Sequence, residues 1–271
     1  PPCRQRLDGR SLVSDQNLQP LFRLRVEYAK SGRLAYLGHL EVLHTIERII
    51  RRAALPYAVT QGFSPHMRAG FSSALPVGTS SRSEWYDVFL TELVPVEDAL
   101  RRLRDASPDD LAALRCGYVD VRTPALTAQI TRMLYRIELA FSDGDAVTVA
   151  DLESALSVVA SVGALPYARG KKRKVLEVDR LLVSSRFLDS EGGAVLELDT
   201  RCDNEGALRP EIIVSALDRV LAGAALDSDE DPIQSTGIQR FDRIDRYRVE
   251  RVAQLVELED GALVDPLEAR S

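Results

Sequence analysis

The chain has 271 residues, of which 45% are hydrophobic and 28% charged, with a formal net charge of −6. That length suits about two domains, and the composition is that of an ordinary globular protein with a buried core. No stretch approaches the roughly 18 apolar residues of a membrane helix, so no membrane span is expected, and residues 1–20 lack the apolar run of a secretory signal and read as a mobile tail.

The first regular element is expected at Leu21–Tyr28, where Phe22, Leu24, Val26 and Tyr28 alternate with Arg23, Arg25 and Glu27 as in a strand. Gly32 and Gly38 then lead into a helix over His39–Ala54, with Leu43, Ile46, Ile50 and Ala53 at helical spacing and Pro56 as its stop. Tyr57–Gln61 and Met67–Leu75 read as short extended pieces, and Trp85–Thr91 as a strand rich in aromatic and β-branched residues. Pro95–Arg104 starts a helix with Pro and acids in its first turn, and Leu111–Arg122 closes the half as a strand.

The second half repeats the order: a strand at Met133–Phe141, a helix at Ala150–Val162, extended chain over Lys174–Leu188 and a strand at Ala194–Thr200. A Pro-started helix at Pro210–Leu221 and a last strand at Arg240–Arg251 complete it. The order βαββαβ, met twice, predicts an α+β protein of two tandem ferredoxin-like domains. Their expected bounds are 21–125 and 130–252, followed by a C-terminal extension over 253–271.

Charge is unevenly spread. Residues 21–70 carry eight Lys/Arg against three acids, a local excess of five, and a second basic run, Arg169–Lys174, includes Lys171, Lys172, Arg173 and Lys174. Acids collect at Asp227–Asp231. A chain polarised in this way is able to bind a polyanion on one face despite its acidic total.

All three histidines, His39, His44 and His66, fall in or beside two Gly-containing segments, Arg33–Leu40 and Thr60–Gly70. Long loops on a rigid scaffold are common homes for function. His39 is expected in the first turn of its helix, where an anion is favoured, with His66 and Arg68 approaching it across the sheet edge. Tyr36 and Phe63 offer rings on which a base would stack. The plainer reading is that His39 bonds a neighbouring carbonyl, that His44 lies on the solvated helix face and that Phe63 is a packing plug.

Three histidines without nearby carboxylates make a weak metal site, and none is expected. Cys3, Cys116 and Cys202 lie far apart with no CxxC pair, which argues against disulfides, zinc or a cluster and favours a reducing cytoplasm. No cofactor is expected. The chain has no P-loop, GxGxxG or nucleophile elbow, and no RNP1 pattern.

Tyr36–Leu40, the helix Thr45–Pro56, Gln61–His66 with Phe63 and Ser64, and Ala74–Gly78 together resemble the radical-SAM-linked protein family, as does Arg209–Leu217 in the second half. That family is functionally uncharacterised and is encoded beside, or fused behind, a radical-SAM enzyme. The resemblance runs from Leu21 to Arg251 and implies a radical-SAM protein as partner. A fainter similarity, in architecture and in a histidine near the first helix, is to tandem ferredoxin-like endoribonucleases that process CRISPR RNA. Their C-terminal glycine-rich loop has only Gly237 to represent it here.

Three functions follow as expectations. The first is a non-catalytic RNA-binding or substrate-presenting accessory of a radical-SAM enzyme, using Arg33, Tyr36, His39, Gln61, Phe63, Ser64, His66 and Arg68 with Lys171–Lys174 and Arg209. The second is a protein-interaction module that docks the partner enzyme without nucleic acid. The third is a metal-independent endoribonuclease in which His39 acts with Tyr36 as acid and base.

Overall fold

The computed structural model describes residues 20–142, 147–203, 205–227, 232–235 and 241–269. The expected N-terminal tail, apart from Pro20, therefore lies outside the described residues, as do Cys3, Gly237 and most of the acidic run at 227–231.

In chain order the first half comprises β1 (Phe22–Lys30), α1 (His39–Arg52), β2 (Ala69–Phe71), β3 (Ser80–Leu90), α2 (Val96–Ala106) and β4 (Ala113–Val119). A short α3 (Leu126–Gln129) leads into β5 (Arg132–Phe141), α4 (Val149–Val162), β6 (Ala164–Arg169) and β7 (Lys172–Glu177). A single turn, α5 (Val178–Leu181), precedes β8 (Leu182–Ser190) and β9 (Gly193–Arg201). The chain ends through α6 (Pro210–Leu221), β10 (Ile233–Gln234), β11 (Ile244–Glu257) and β12 (Leu263–Val264).

The architecture is a mixed α+β fold on one large sheet. Its strand order is β4-β1-β3-β11-β5-β9-β8, with β2 added to β3 and β12 to β11, while β10, β6 and β7 form a separate small sheet. In the large sheet neighbours are antiparallel except β3 and β11, which run parallel where Ser80 and Ser81 pair with Glu250 and Arg251; in the small sheet β10 runs parallel to β6. The last strand of the second half thus extends the sheet of the first.

Two apolar clusters fill the two halves. Leu24, Val26 and Tyr28 of β1 pack with Val42, Ile46 and Ile50 of α1, while Ile137, Leu139 and Leu196 pack with Val159, Ile213 and Leu217. Trp85 alternates with Tyr86 on β3 but belongs to the second-half cluster, so the halves share core across that strand.

The stretch Lys174–Leu188 is not one extended piece. The turn Val178–Leu181 divides it, because Val178 and Leu181 bury themselves beneath the small sheet at helical spacing. Residues 57–61 form only isolated bridges, Tyr57 to Leu90 and Val59 to Met67, since β3 is already paired with β2 nearby.

The polar face of β1 is buried, so its two arginines do not add to a basic surface over residues 21–70. Arg23 donates to Asp87 from Nη2 at 2.6 Å, and Arg25 from Nε at 2.8 Å. Arg25 also reaches the Pro266 carbonyl at 2.7 Å, and Arg115 bridges Glu27 to Asp265. The segment after β4 and the chain after β12 cover this face, so the buried guanidiniums of Arg23 and Arg25 must be satisfied by Asp87 and those segments, while Arg115 closes the rim half-exposed. Of the basic residues of 21–70, Arg23, Arg25 and Lys30 are therefore interior groups, and Arg33, Arg48, Arg51, Arg52 and Arg68 remain at the surface.

Candidate functional site

A cleft of about 570 Å³ lies where the halves meet. One wall is the segment Ser73–Pro76, which follows β2; the opposite wall is the β6–β7 hairpin together with the start of α6. The hairpin forms because Gly170 adopts φ +60 at its tip, a conformation that suits glycine. Alternation along β7 then buries Leu176 and sets Lys174 opposite Tyr167 at the cleft. The start of α6 is fixed by Pro210 in its first turn, which places Arg209 at the helix entrance.

Arg251 of β11 stands in the cleft floor and is 1% exposed. Its Nη1 donates to the Ser73 carbonyl at 3.1 Å and its Nη2 to the Ala74 carbonyl at 3.4 Å, so a residue of the second half holds a loop of the first. Its Nε is 3.5 Å from Glu84 Oε1, and neither atom has a hydrogen-bond partner. Behind Glu84 lie Lys30 and Tyr28, and Gln254 donates to Ser72 Oγ at 3.2 Å and to the Ser83 carbonyl at 2.7 Å. Burial pushes the Glu84 carboxyl up, although Arg251 and Lys30 oppose the shift. Burial also draws the Lys30 ammonium down, against the pull of Glu84.

His39 begins α1 and is half-buried, with Phe71 edge-on at 6.5 Å. It shares with Lys30 and Glu84 a void of only about 10 Å³, room for about one water. Burial lowers the pKa of His39, and the nearby Lys30 ammonium lowers it further. The folded protein thus holds this proton less readily than the unfolded chain does. Its contribution to stability is present above the ordinary histidine range and is lost as pH falls through the lowered value. In an NMR titration the His39 midpoint is expected below 6.5, and Lys30→Met is expected to raise it without restoring the ordinary value, since burial remains.

The structure separates His39 from Arg68. Phe71 and Ala69 share the sheet face of Tyr86 and Val88 on which α1 packs, whereas the Arg68 guanidinium lies 4.3 Å over the ring of Phe89 on the reverse face. The phosphate site expected from helix amides, His39 and Arg68 is therefore not assembled.

Gln61, Phe63, Ser64 and His66 are all exposed in a loop closed by bonds between Thr60 and His66, with Phe63 fully in solvent. Arg33 and Tyr36 are exposed on the turn before α1, and Tyr36 stands beside Gly78, just beyond the cleft wall. Lys171, Lys172, Arg173 and Lys174 are exposed on the hairpin, and of these only Lys174 lines the cleft, with Arg209.

Sequence reasoning missed Glu84, Arg251, Tyr135 and Tyr167. The available signal was a carboxylate at Glu84 directly before the aromatic pair Trp85 and Tyr86, a position where an isolated charge is costly without a partner. Among the described residues no group of three or more His, Cys, Asp or Glu is arranged to hold a metal ion. No described helix is long and apolar enough to cross a membrane.

No curated protein matches the chain. A solved structure, the crystal structure of an unknown protein from Galdieria sulphuraria, is 13% identical over 75% of this chain and 94% of that one, at a TM-score of 0.24. Residues 23–210, spanning the first half, the basic hairpin and the start of α6, match a family described as an uncharacterized protein conserved in bacteria (DUF2344). The chain belongs to that family.

Proposed function

We propose that this protein is a non-catalytic RNA-binding or substrate-presenting accessory of a radical-SAM enzyme, working in the cytoplasm, with RNA lying along the cleft between its halves. The observation that carries the reading is the hairpin wall: Arg169, Lys171, Lys172, Arg173 and Lys174 are all exposed, with no acid among them. A rigid two-stranded ribbon of cations beside a groove is suited to tracking a phosphate backbone. The partner rests on the resemblance to radical-SAM-linked proteins.

The strand orders support reading the halves as two ferredoxin-like units. In the second half the order β11-β5-β9-β8 is that of a βαββαβ sheet, and in the first β4-β1-β3 is followed by the short β2. Joining them through β3 and β11 sets the cleft at the seam. The small void at His39 supports a non-catalytic role over RNA cleavage by that residue.

The test is fluorescence-anisotropy binding to tRNA and to a single-stranded RNA across a salt series. Binding is expected to weaken steeply with salt, and Lys171/Lys172/Arg173/Lys174→Ala is expected to weaken it by about tenfold or more and to flatten the salt slope. Absence of binding at low salt would overturn the reading. The exposed Phe63 loop would then favour docking of the partner enzyme without nucleic acid.

A further inference from the structure

We propose that the cleft holds a single nucleotide unit, with its base against the apolar interior and its phosphate between Lys174 and Arg209. This deepens the RNA-binding reading and rests on it for the source of the ligand, since one nucleotide splayed from an RNA and a free nucleoside monophosphate share the same chemistry.

Size is the first argument. A volume of about 570 Å³ falls within the range of small-molecule sites, roughly 300–1,000 Å³, and exceeds what one side chain would fill. The lining is divided in the way such a ligand requires. Tyr135, Tyr167, Met133 and Leu208 supply apolar and aromatic surface, while Lys174, Arg209 and Arg251 supply positive charge.

The charge balance favours an anion. Lys174, Arg180, Arg209 and Arg251 line the cleft against Glu177, Glu205 and Glu211, a formal excess of one positive charge, and Arg180 is engaged at one end by Glu177, Asp203 and Glu205. Glu211 pairs with Arg209 at 3.4 Å, but burial pushes its carboxyl up and weakens its claim on that guanidinium. Glu84 is pushed up in the same way beneath Arg251. Arg251 is 1% exposed in the floor, where it holds the Ser73 and Ala74 carbonyls and faces the Glu84 carboxyl at 3.5 Å, so Lys174 and Arg209 are the cations left to meet a phosphate.

Backbone amides contribute little. Pro210 removes one N–H from the start of α6, and the Ile212 N–H already bonds the Arg209 carbonyl at 3.0 Å. Side chains, not the helix end, therefore hold the phosphate, and affinity is expected to follow the charge at positions 174 and 209.

Equilibrium dialysis with AMP, adenosine and inorganic phosphate tests this on the full chain, beside anisotropy with the single-stranded RNA. Arg209→Ala removes charge at the mouth, and Ala74→Trp fills the cleft from an exposed position without removing any charge. AMP is expected to bind more tightly than adenosine or phosphate, to lose about tenfold or more in both variants, and to compete with RNA. If AMP binds but RNA does not, the pocket stands with a free nucleotide as its ligand and the RNA reading falls. If RNA binds, AMP does not, and Ala74→Trp leaves RNA affinity unchanged, the pocket is overturned while the RNA reading stands. Equal binding of AMP and phosphate, insensitive to Ala74→Trp, would also overturn it.

Discussion

Replacing Asp87 by alanine is expected to destabilise the fold by about 3–5 kcal/mol, because it strands two buried guanidiniums on the reverse face of β1. Asp87 accepts from Arg23 Nε at 3.0 Å and from Arg25 Nε at 2.8 Å, and all three side chains are buried. Other guanidinium hydrogens go to the carbonyls of Thr123, Pro124 and Pro266 and to Gln129 Oε1, which belong to the covering segments. Losing the carboxylate should therefore loosen that cover as well. Asp87→Asn keeps an acceptor without the charge and is expected to fall between wild type and Asp87→Ala. Denaturant unfolding measures both, and a loss below about 1 kcal/mol for Asp87→Ala would show that solvent reaches this face.

Arg251→Met is expected to cost a similar amount, again about 3–5 kcal/mol, for a different reason. The guanidinium ties β11 to the loop after β2 through the Ser73 and Ala74 carbonyls, and it offsets the charge of Glu84. Its removal leaves two buried carbonyls without their donor and Glu84 with Lys30 as its nearby cation. Glu84→Gln should cost less by itself, since burial already biases that carboxyl towards its neutral form. The double variant should be more stable than the sum of the single effects predicts, as expected for residues in direct contact.

Glu84 also gives a pH signature. Its folded pKa is raised, so between the ordinary carboxyl value and the raised one the folded protein holds more protons than the unfolded chain. Its contribution is therefore lost as pH rises through that window. Glu84→Gln is expected to flatten the stability–pH curve there, as read from unfolding midpoints at successive pH values.

Much of the secondary structure could be read from local pattern. The apolar stripe of α1, the Pro-started α6 and the alternation in β1 and β9 each follow from residues a few positions apart, and such signals lie within the sequence window. The polar side of β1 was visible too, but its meaning was not. Arg23 and Arg25 look like a solvated face until the chain at 123–129 and 265–266 is folded over them, and their partner Asp87 is more than 60 residues away.

Long-range placement also decided the site. The basic hairpin and Arg209 were visible as charge and as a helix start. Their joining to Arg251 and Ser73 depends on the pairing of β3 with β11, which no local pattern encodes. His39 and Arg68 were separated by strand alternation, because Arg68 falls one residue out of phase with Ala69 and Phe71 in β2. The turn that divides Lys174–Leu188 was hidden because Val178 and Leu181 suit a strand as well as a helical turn by composition.

Ultraviolet cross-linking of bound single-stranded RNA, with the adducts mapped by mass spectrometry, tests most directly whether the cleft is the RNA path. Adducts are predicted on the hairpin wall and cleft, at Tyr167, Lys172 and Lys174, with few on the α1 surface at Arg48 and Arg52. Adducts confined to the Phe63 loop or to that helix face, with none at the hairpin, would contradict the account.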